Sequence, residues 1–374
     1  MKFIKCNLEV FLEKLETKQI ICFGVSNYLI TFSQEINNFD WMNHISCMVD
    51  NNVRLHGVEV SYFGRRWKVF SPQYLRGIEN AIIIIPNKMN KNILEIAKQL
   101  QDMNLPDNVE CYSLRMLKRH MRYDDTAIDM HPFSKNYGIE KIIHCCWFSK
   151  EKKPLEYQKC IDSWKVNCPD YEIKEWNSHN YDIEKNKYMK QAYEQSAWAF
   201  VSDYARLDLV YNHGGIYLDM DVEILKKFDS LLKYKGFFSF YEGGYVDLGS
   251  GFGAVRNLEL IRELLNVYDE IEFSTGKGEV DFKKVVPQPL RLLPTFQAWG
   301  YEKNMKSQLI DDVAYFSPTY FKVIDDSEHE YRDFQGTEYA IHWHHAGWFD
   351  EAALKARKER ILLDKELLTL YTNT

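Results

Sequence analysis

The residues of this chain best placed to do chemistry are two carboxylates one residue apart, Asp219 and Asp221, near the end of the run WAFVSDYARLDLVYNHGGIYLDMDVE from Trp198 to Glu223. Carboxylates held side by side repel each other unless a cation lies between them, and a hard divalent ion is the usual solution. An ion held by only one or two carboxylates keeps positions open for water and phosphate oxygens, which favours Mg²⁺ or Mn²⁺ over Zn²⁺. Asp-x-Asp alone reads as a solvated strand end. What precedes it changes that reading.

Phe200, Val201, Tyr204, Leu207 and Val210 recur at three-and-four spacing, which predicts a helix from Trp198 that stops at Gly214-Gly215. Ile216-Tyr217-Leu218 then reads as a short buried strand. Strand alternation is expected to turn Asp219 and Asp221 to one side and Met220 into the packing. On the helix, Asp203 and Arg206 stand three apart, an ion pair worth a few tenths of a kcal/mol if solvated. The helix is too apolar for that, and a planar guanidinium is well made to donate paired hydrogen bonds to an oxyanion. Toward the C-terminus, AIHWHHAGW from Ala340 to Trp348 adds His342, His344 and His345.

The stretch Trp198–Glu223 together with the upstream KIIHCCWFS resembles the DXD-containing sugar transferases of glycosyltransferase family 32, which include many bacterial capsule and lipopolysaccharide enzymes. It is more distantly similar to the glucosylating domain of large clostridial toxins. The resemblance covers roughly Tyr137 to Trp348 and implies a GT-A type nucleotide-sugar-binding fold. Under it, Lys141 to Phe148 is the first strand of the nucleotide-binding sheet and Trp147 stacks on the nucleobase; His144, grouped with the donor-site residues, reads as a buried or supporting group rather than a catalyst, as a lone His on an apolar strand usually does. Asp203 accepts sugar hydroxyls and Arg206 sits by the diphosphate. A C-terminal His and Trp match His342 and Trp348, and a residue of that segment completes the metal site or touches the diphosphate; the choice among His342, His344 and His345 stays open. The resemblance further implies a UDP-sugar donor, with a GDP-sugar as alternative, a glycan or lipid-linked oligosaccharide acceptor, and retention of the anomeric configuration. Where relatives show a Thr-Gly-Pro turn, this chain reads VVPQPLRLL from Val285 to Leu293. Gly249-Ser250-Gly251-Phe252-Gly253 reads as a glycine-rich turn beside the acceptor, since it lacks the Lys-Ser/Thr of a phosphate loop.

The rest of the 374 residues suggest an α/β chain of about two domains. Short apolar runs at Gln19–Phe23, Ile45–Val49, Trp67–Phe70, Ala81–Ile85 and Val109–Tyr112 alternate with helical stretches at Tyr28–Ile36 and Asn92–Met103. They predict a smaller, Rossmann-like parallel-sheet domain over residues 1–118. Its first turn, FGVSNY, has one glycine where a dinucleotide fingerprint wants three, although Asp50 ends the next strand where a ribose-binding acid would sit. Residues 119–136 read as a linker, and 137–374 as the GT-A domain with a C-terminal helix from Glu351 to Tyr371, which packs or lies on a membrane surface. A net charge of −7 without a basic stripe argues against a nucleic-acid partner. Eight cysteines without regular spacing indicate neither a zinc site nor a disulfide framework, so a reducing cytoplasm is the expected setting. No apolar run reaches the ~18 residues of a membrane span, which leaves peripheral contact with the inner face of the membrane at most.

The function expected is transfer of a hexose or N-acetylhexosamine from a nucleotide-diphosphate-sugar to a carbohydrate hydroxyl in surface polysaccharide synthesis. The competing reading is a degenerate nucleotide-sugar-binding module, against which stands the presence of both aspartates, the arginine and the terminal His and Trp. A two-metal phosphohydrolase would need further ligands, and the sequence offers no such motif.

Overall fold

The computed structural model describes the chain except residues 37, 120–122, 124, 130–135, 242, 274–285, 324–335, 345–350 and 374. It divides into two compact units, Met1–Arg122 with Glu351–Thr374, and Tyr123–Asp350.

In the first unit the order is β1 (Lys2–Lys5), α1 (Leu8–Lys14), β2 (Gln19–Phe23), α2 (Tyr28–Glu35), β3 (Ile45–Val49), β4 (Glu59–Tyr62), β5 (Arg65–Phe70), β6 (Ala81–Ile85), α3 (Asn90–Asp102), β7 (Glu110–Ser113) and α4 (Leu114–Arg119). β1, β7, β6, β2, β3 and β5 pair in parallel, with β4 antiparallel on one edge. β6 reads AIIII and is buried throughout, as a central parallel strand covered on both faces must be. The strand runs and helices expected from the periodicity are present with ends shifted by no more than two residues.

The C-terminal segment departs from expectation. The helix Glu351–Leu370 and the short strand Thr372–Asn373 group with the first unit, not with the DXD-bearing one. The strand adds to β1 in parallel, and Leu367, Leu368 and Tyr371 enter the same core as Phe3, Ile93 and Ala97. These buried leucines give the helix its packing partner. The boundary lies at residue 122/123, inside the expected linker, whose Thr126–Asp129 is a short helix of the second unit, α5.

The second unit continues with β8 (Ile142–Cys146), α6 (Leu155–Asn167), β9 (Glu172–Trp176), α7 (Lys187–Glu194), α8 (Trp198–His213), β10 (Gly215–Tyr217), β11 (Val222–Ile224), β12 (Gly236–Tyr241), β13 (Tyr245–Ala254), α9 (Glu259–Asp269), α10 (Gln288–Ala298), β14 (Gln308–Ile310), β15 (Val313–Phe316), β16 (Phe321–Val323) and β17 (Ala340–His342). Its main sheet has the order β14-β15-β12-β13-β10-β8-β9, with β9, β8 and β10 parallel and β13 antiparallel in the middle. A second sheet, β11-β17-β16, stands beside it. The α/β class holds for both units, and the second has a mixed sheet with an acidic turn at the end of one of its parallel strands.

α8 explains how this sheet is loaded. It is apolar nearly all round and buried from Val201 to Val210, so its three charged groups there are each paired within the protein. It ends at Gly214 with φ +66, where a Cβ would fall 1.9 Å from a Glu140 carboxylate oxygen. Gly215 follows with φ +90, and its Cβ would lie 2.7 Å from the Ile142 carbonyl oxygen. The Gly-Gly break is therefore required twice, by conformation and by close approach to β8. After it the alternation works as expected: Ile216 and Leu218 enter one core, Tyr217 the other.

Candidate active site

Four chain segments meet at the end of β10. The β10–β11 connection brings Asp219 and Asp221, α8 brings Asp203 and Arg206, β13 brings Asp247, Gly249 and Ser250, and the end of β17 brings His342. Asp219 and Asp221 share a side for a reason other than the expected pleat. They sit in a tight turn closed by the Val222 N–H donating to the Asp219 carbonyl at 3.1 Å, while Met220 is buried beneath. The turn is pinned to both sheets, by the Asp219 N–H donating to the Gly249 carbonyl (3.0 Å) and the Trp343 N–H donating to the Asp221 carbonyl (3.0 Å).

Asp219, Asp221 and His342 each offer a ligand atom, and these atoms lie within 4.8 Å of one another. This is the spacing of donors around one ion, and the set of two carboxylates and an imidazole suits a divalent transition metal. Gly249 keeps the space open: a Cβ there would sit 2.4 Å from Asp219 Oδ2 and 3.2 Å from His342 Cε1. Of the two described histidines of this segment, His342 joins these ligand atoms; His344 is exposed, with left-handed backbone and its ring edge-on to His342 at 5.3 Å. His345 and Trp348 lie outside the described residues.

His342 Nε2 is 3.1 Å from Asp221 Oδ1, and its Nδ1 is 3.5 Å from Asp247 Oδ2 and 3.0 Å from Ser250 Oγ. Burial lowers the imidazole's proton affinity, but the carboxylates of Asp221 and Asp247 outweigh it and raise it well above the ordinary histidine range. The proton stands where the donor set is ready for a metal. Asp247 is half-buried, and desolvation opposes its charge, yet His342, the Ser250 hydroxyl and the Gly249 N–H together hold it well below the usual carboxylate range.

Arg206 lies on the opposite side of Asp219. Its Nη2 is 3.4 Å from Asp219 Oδ1 and 3.7 Å from Asp203 Oδ1, its Nε donates to the Ser202 carbonyl at 3.0 Å, and the guanidinium covers the Tyr217 ring at 5.0 Å. The Tyr217 hydroxyl donates to Asp219 Oδ1 at 2.9 Å. Burial works against the arginine's charge; Asp219, Tyr217 and Asp203 more than restore it. Burial pushes the Asp203 carboxyl up to about 7 against the pull of Arg206, helped by the Asp219 charge. Gln288, from the segment where relatives show a Thr-Gly-Pro turn, opens α10 and donates to the Asp203 carbonyl and the Tyr268 hydroxyl, both at 2.8 Å.

Trp147 follows β8, half-buried, with its Nε1–H donating to the Glu151 carbonyl at 3.0 Å and its ring against Tyr157 at 5.6 Å. Burial, with the charges of Asp221 and Asp219, raises the Tyr157 hydroxyl above the usual phenol range, so this aromatic pair borders the acidic turn. His144 is the buried group that a lone histidine on an apolar strand is expected to be. It is fully buried, Nδ1 accepts from Trp176 Nε1–H at 3.1 Å and Nε2 lies 2.9 Å from the Gly214 carbonyl. One ring nitrogen meets the Gly-Gly break and the other accepts from Trp176, and burial lowers its proton affinity to about 4. The run Gly249–Gly253 is likewise not a turn; it lies inside β13, where small residues let the sheet approach the site.

Asp247, Tyr217, Ser250 and Tyr157 escape a reading by motif. Tyr217 and Ser250 were within stretches already singled out, but Asp247 stands alone in YVDLGSG, and it is tertiary packing of β13 against β17 that brings it to His342.

Residues 154–238 match a family model described as "Glycosyltransferase sugar-binding region containing DXD motif". The matched stretch is similar to the sugar-binding region of DXD-containing glycosyltransferases. It holds α6 to the start of β12, including Asp203, Arg206 and the acidic turn, while Asp247 and His342 of the same cluster come from beyond it. No curated protein matches the chain in sequence. Among solved structures the chain is similar to "PaToxG Glycosyltransferase", with 15% identity, 56% of this chain and 80% of that one covered, and a TM-score of 0.34. It is also similar to a glycosyltransferase "involved in the glycosylation of the major capsid of PBCV-1" (12% identity, 61% and 98% covered, TM-score 0.33). A third is the galactosyltransferase LgtC in complex with donor and acceptor sugar analogues (10% identity, 60% and 95% covered, TM-score 0.32).

Proposed function

We propose that the chain is a metal-dependent glycosyltransferase that moves a hexose or N-acetylhexosamine from a nucleotide-diphosphate-sugar to a carbohydrate hydroxyl. The observation that carries this reading is the convergence of Asp219, Asp221 and His342 on one point, beside a buried arginine, within and next to a DXD sugar-binding region. Asp221, Asp219 and His342 would hold the ion, and the imidazole in the set favours Mn²⁺ over Mg²⁺. When bound, such an ion supplies Lewis-acid stabilisation of charge on the diphosphate.

The chain's own residues do the rest. Arg206 is fixed in place by Ser202, Asp219 and the Tyr217 ring, so its positive charge is preorganised beside the departing diphosphate and costs no rearrangement as charge develops. Asp203, balanced between protonated and ionised near neutral pH, is suited to hydrogen-bond sugar hydroxyls as donor or acceptor. Trp147 offers its ring to the base, with a UDP-sugar the favoured donor and a GDP-sugar the alternative.

The resemblance to family 32 enzymes supports retention of the anomeric configuration, a glycan or lipid-linked oligosaccharide acceptor, and a place in surface polysaccharide synthesis in a bacterial cytoplasm, at most in peripheral contact with the membrane's inner face. Among the described residues no helix is long and apolar enough to cross a membrane. Calorimetric titration with UDP and GDP, each with and without Mn²⁺, tests the donor site: binding that requires the metal supports it, and metal-indifferent binding or none argues against it. Proton NMR of the newly formed linkage tests retention, and a β product from an α-linked donor would contradict it.

A further inference from the structure

We propose that Asp247 is a positioning residue for the metal centre: acting through Ser250, it fixes which nitrogen of His342 carries the proton and so turns the other toward the Asp219–Asp221 pair. This rests on the metal-dependent reading above and extends it to a carboxylate outside the set of Asp219, Asp221 and His342.

The polarity follows from counting protons. Asp247 Oδ1 accepts the Gly249 N–H at 2.9 Å, and Oδ2 accepts the Ser250 hydroxyl. A serine has one proton to give, so once it points at Asp247 only the oxygen's lone pairs remain for its second neighbour, His342 Nδ1 at 3.0 Å. Nδ1 must then be the N–H, with Asp247 Oδ2 at 3.5 Å as further acceptor. That leaves the Nε2 lone pair facing Asp221 Oδ1 at 3.1 Å. Two acceptors confronted at that distance need a cation between them, and the two states the site can hold, a proton on Nε2 or a metal beside it, both keep Nδ1–H on the Ser250 side. His342 is 5% exposed and the Asp247 side chain 17%, so water is a poor substitute for either partner. Outer partners of this kind set a ligating histidine's orientation and basicity, and losing one costs roughly 10–100-fold in metal affinity.

The test is Mn²⁺ titration of the full-length chain without substrate, followed by the electron paramagnetic resonance signal of the free ion, for the unaltered protein, D221N, H342Q, D247N and the double variant D247N/H342Q. The expected result is Mn²⁺ binding that is weakened roughly 10–100-fold by D247N, with no further weakening when D247N is added to H342Q. Two results overturn the inference while leaving the metal reading intact: D247N binding Mn²⁺ as the unaltered protein does while H342Q does not, or D247N weakening binding equally in the H342Q background. Absence of Mn²⁺ binding in the unaltered protein, or D221N without effect, sinks the metal reading itself and this inference with it. Should D247N fail to fold, Ser250→Ala cuts the same link, and it should weaken Mn²⁺ binding with His342 present and change nothing in the H342Q background; any other pattern overturns the proposal.

Discussion

Gly249→Ala isolates the geometry of the centre from its charges. The added methyl would lie 2.4 Å from Asp219 Oδ2, and since unstrained contacts begin near ~3.5 Å, the carboxylate must retreat by roughly 1 Å. His342 Cε1, at 3.2 Å, is pressed from the same side. Gly249 is not among the glycines with positive φ, so an alanine there meets no backbone penalty and the cost falls on its neighbours. Small insertions into packed interiors cost about 1–3 kcal/mol, which the fold survives. A displacement of ~1 Å in a reacting constellation costs on the order of a hundredfold in rate. The assay is turnover of a nucleotide-sugar and Mn²⁺ affinity, read beside the unfolding midpoint, with Gly77→Ala as control because nothing lies within 4 Å of its would-be Cβ. Undiminished turnover and Mn²⁺ affinity in a folded Gly249→Ala protein would refute the proposed placement of Asp219 and His342 around one ion.

Other expectations follow from single residues. Burial holds the Asp203 carboxyl at about 7 in the folded chain, above the ~3.9 of an unfolded aspartate, so the folded state binds more protons and this group's contribution to stability is lost as pH rises from about 4 to 7. Urea unfolding at pH 5 and pH 8 should therefore show Asp203→Asn gaining on the unaltered protein at the higher pH; an equal gap at both values would contradict the burial account. Trp147→Ala should weaken nucleoside diphosphate binding by about 1–3 kcal/mol, the usual worth of base stacking, with little change in Mn²⁺ affinity; an unchanged nucleotide dissociation constant would move the base elsewhere. The first unit should bind no nicotinamide cofactor, since its single-glycine turn FGVSNY leaves side chains where a pyrophosphate must approach the backbone. Micromolar binding of NAD⁺ or NADP⁺ to the full chain by calorimetry would defeat that.

Local pattern carried much of this. The helix–glycine–strand order around Asp219 was legible because periodicity, a left-handed cap and a β-branched run are written in adjacent residues, and the parallel strands of the first unit because buried strands are short apolar runs. What stayed hidden depends on chain segments meeting from far apart. His342 reaches Asp221 because β17 pairs with β11, and Asp247 reaches His342 because β13 lies against β17 across the two sheets. That His144 is buried was legible from its apolar strand, but its partners, Trp176 and the Gly214 carbonyl, were not. The C-terminal helix has the same apolar content whichever core it joins; the pairing of Thr372–Asn373 with β1 decided the matter.

The central claim is that the acidic turn and His342 serve transfer from a nucleotide-sugar. It is tested most directly by nucleoside diphosphate release from a panel of UDP- and GDP-sugars, with Mn²⁺ or with EDTA, by the unaltered protein and by Asp221→Asn. An amide is nearly isosteric with the carboxylate but carries no charge to hold a hard ion. The account predicts that at least one donor is turned over with Mn²⁺, that EDTA abolishes the activity, and that Asp221→Asn lowers it on the order of a thousandfold, equivalent to ~4 kcal/mol of lost transition-state stabilisation, while the protein stays folded. Turnover indifferent to EDTA, or a combined Asp219→Asn and Asp221→Asn variant working at near the unaltered rate, would contradict it.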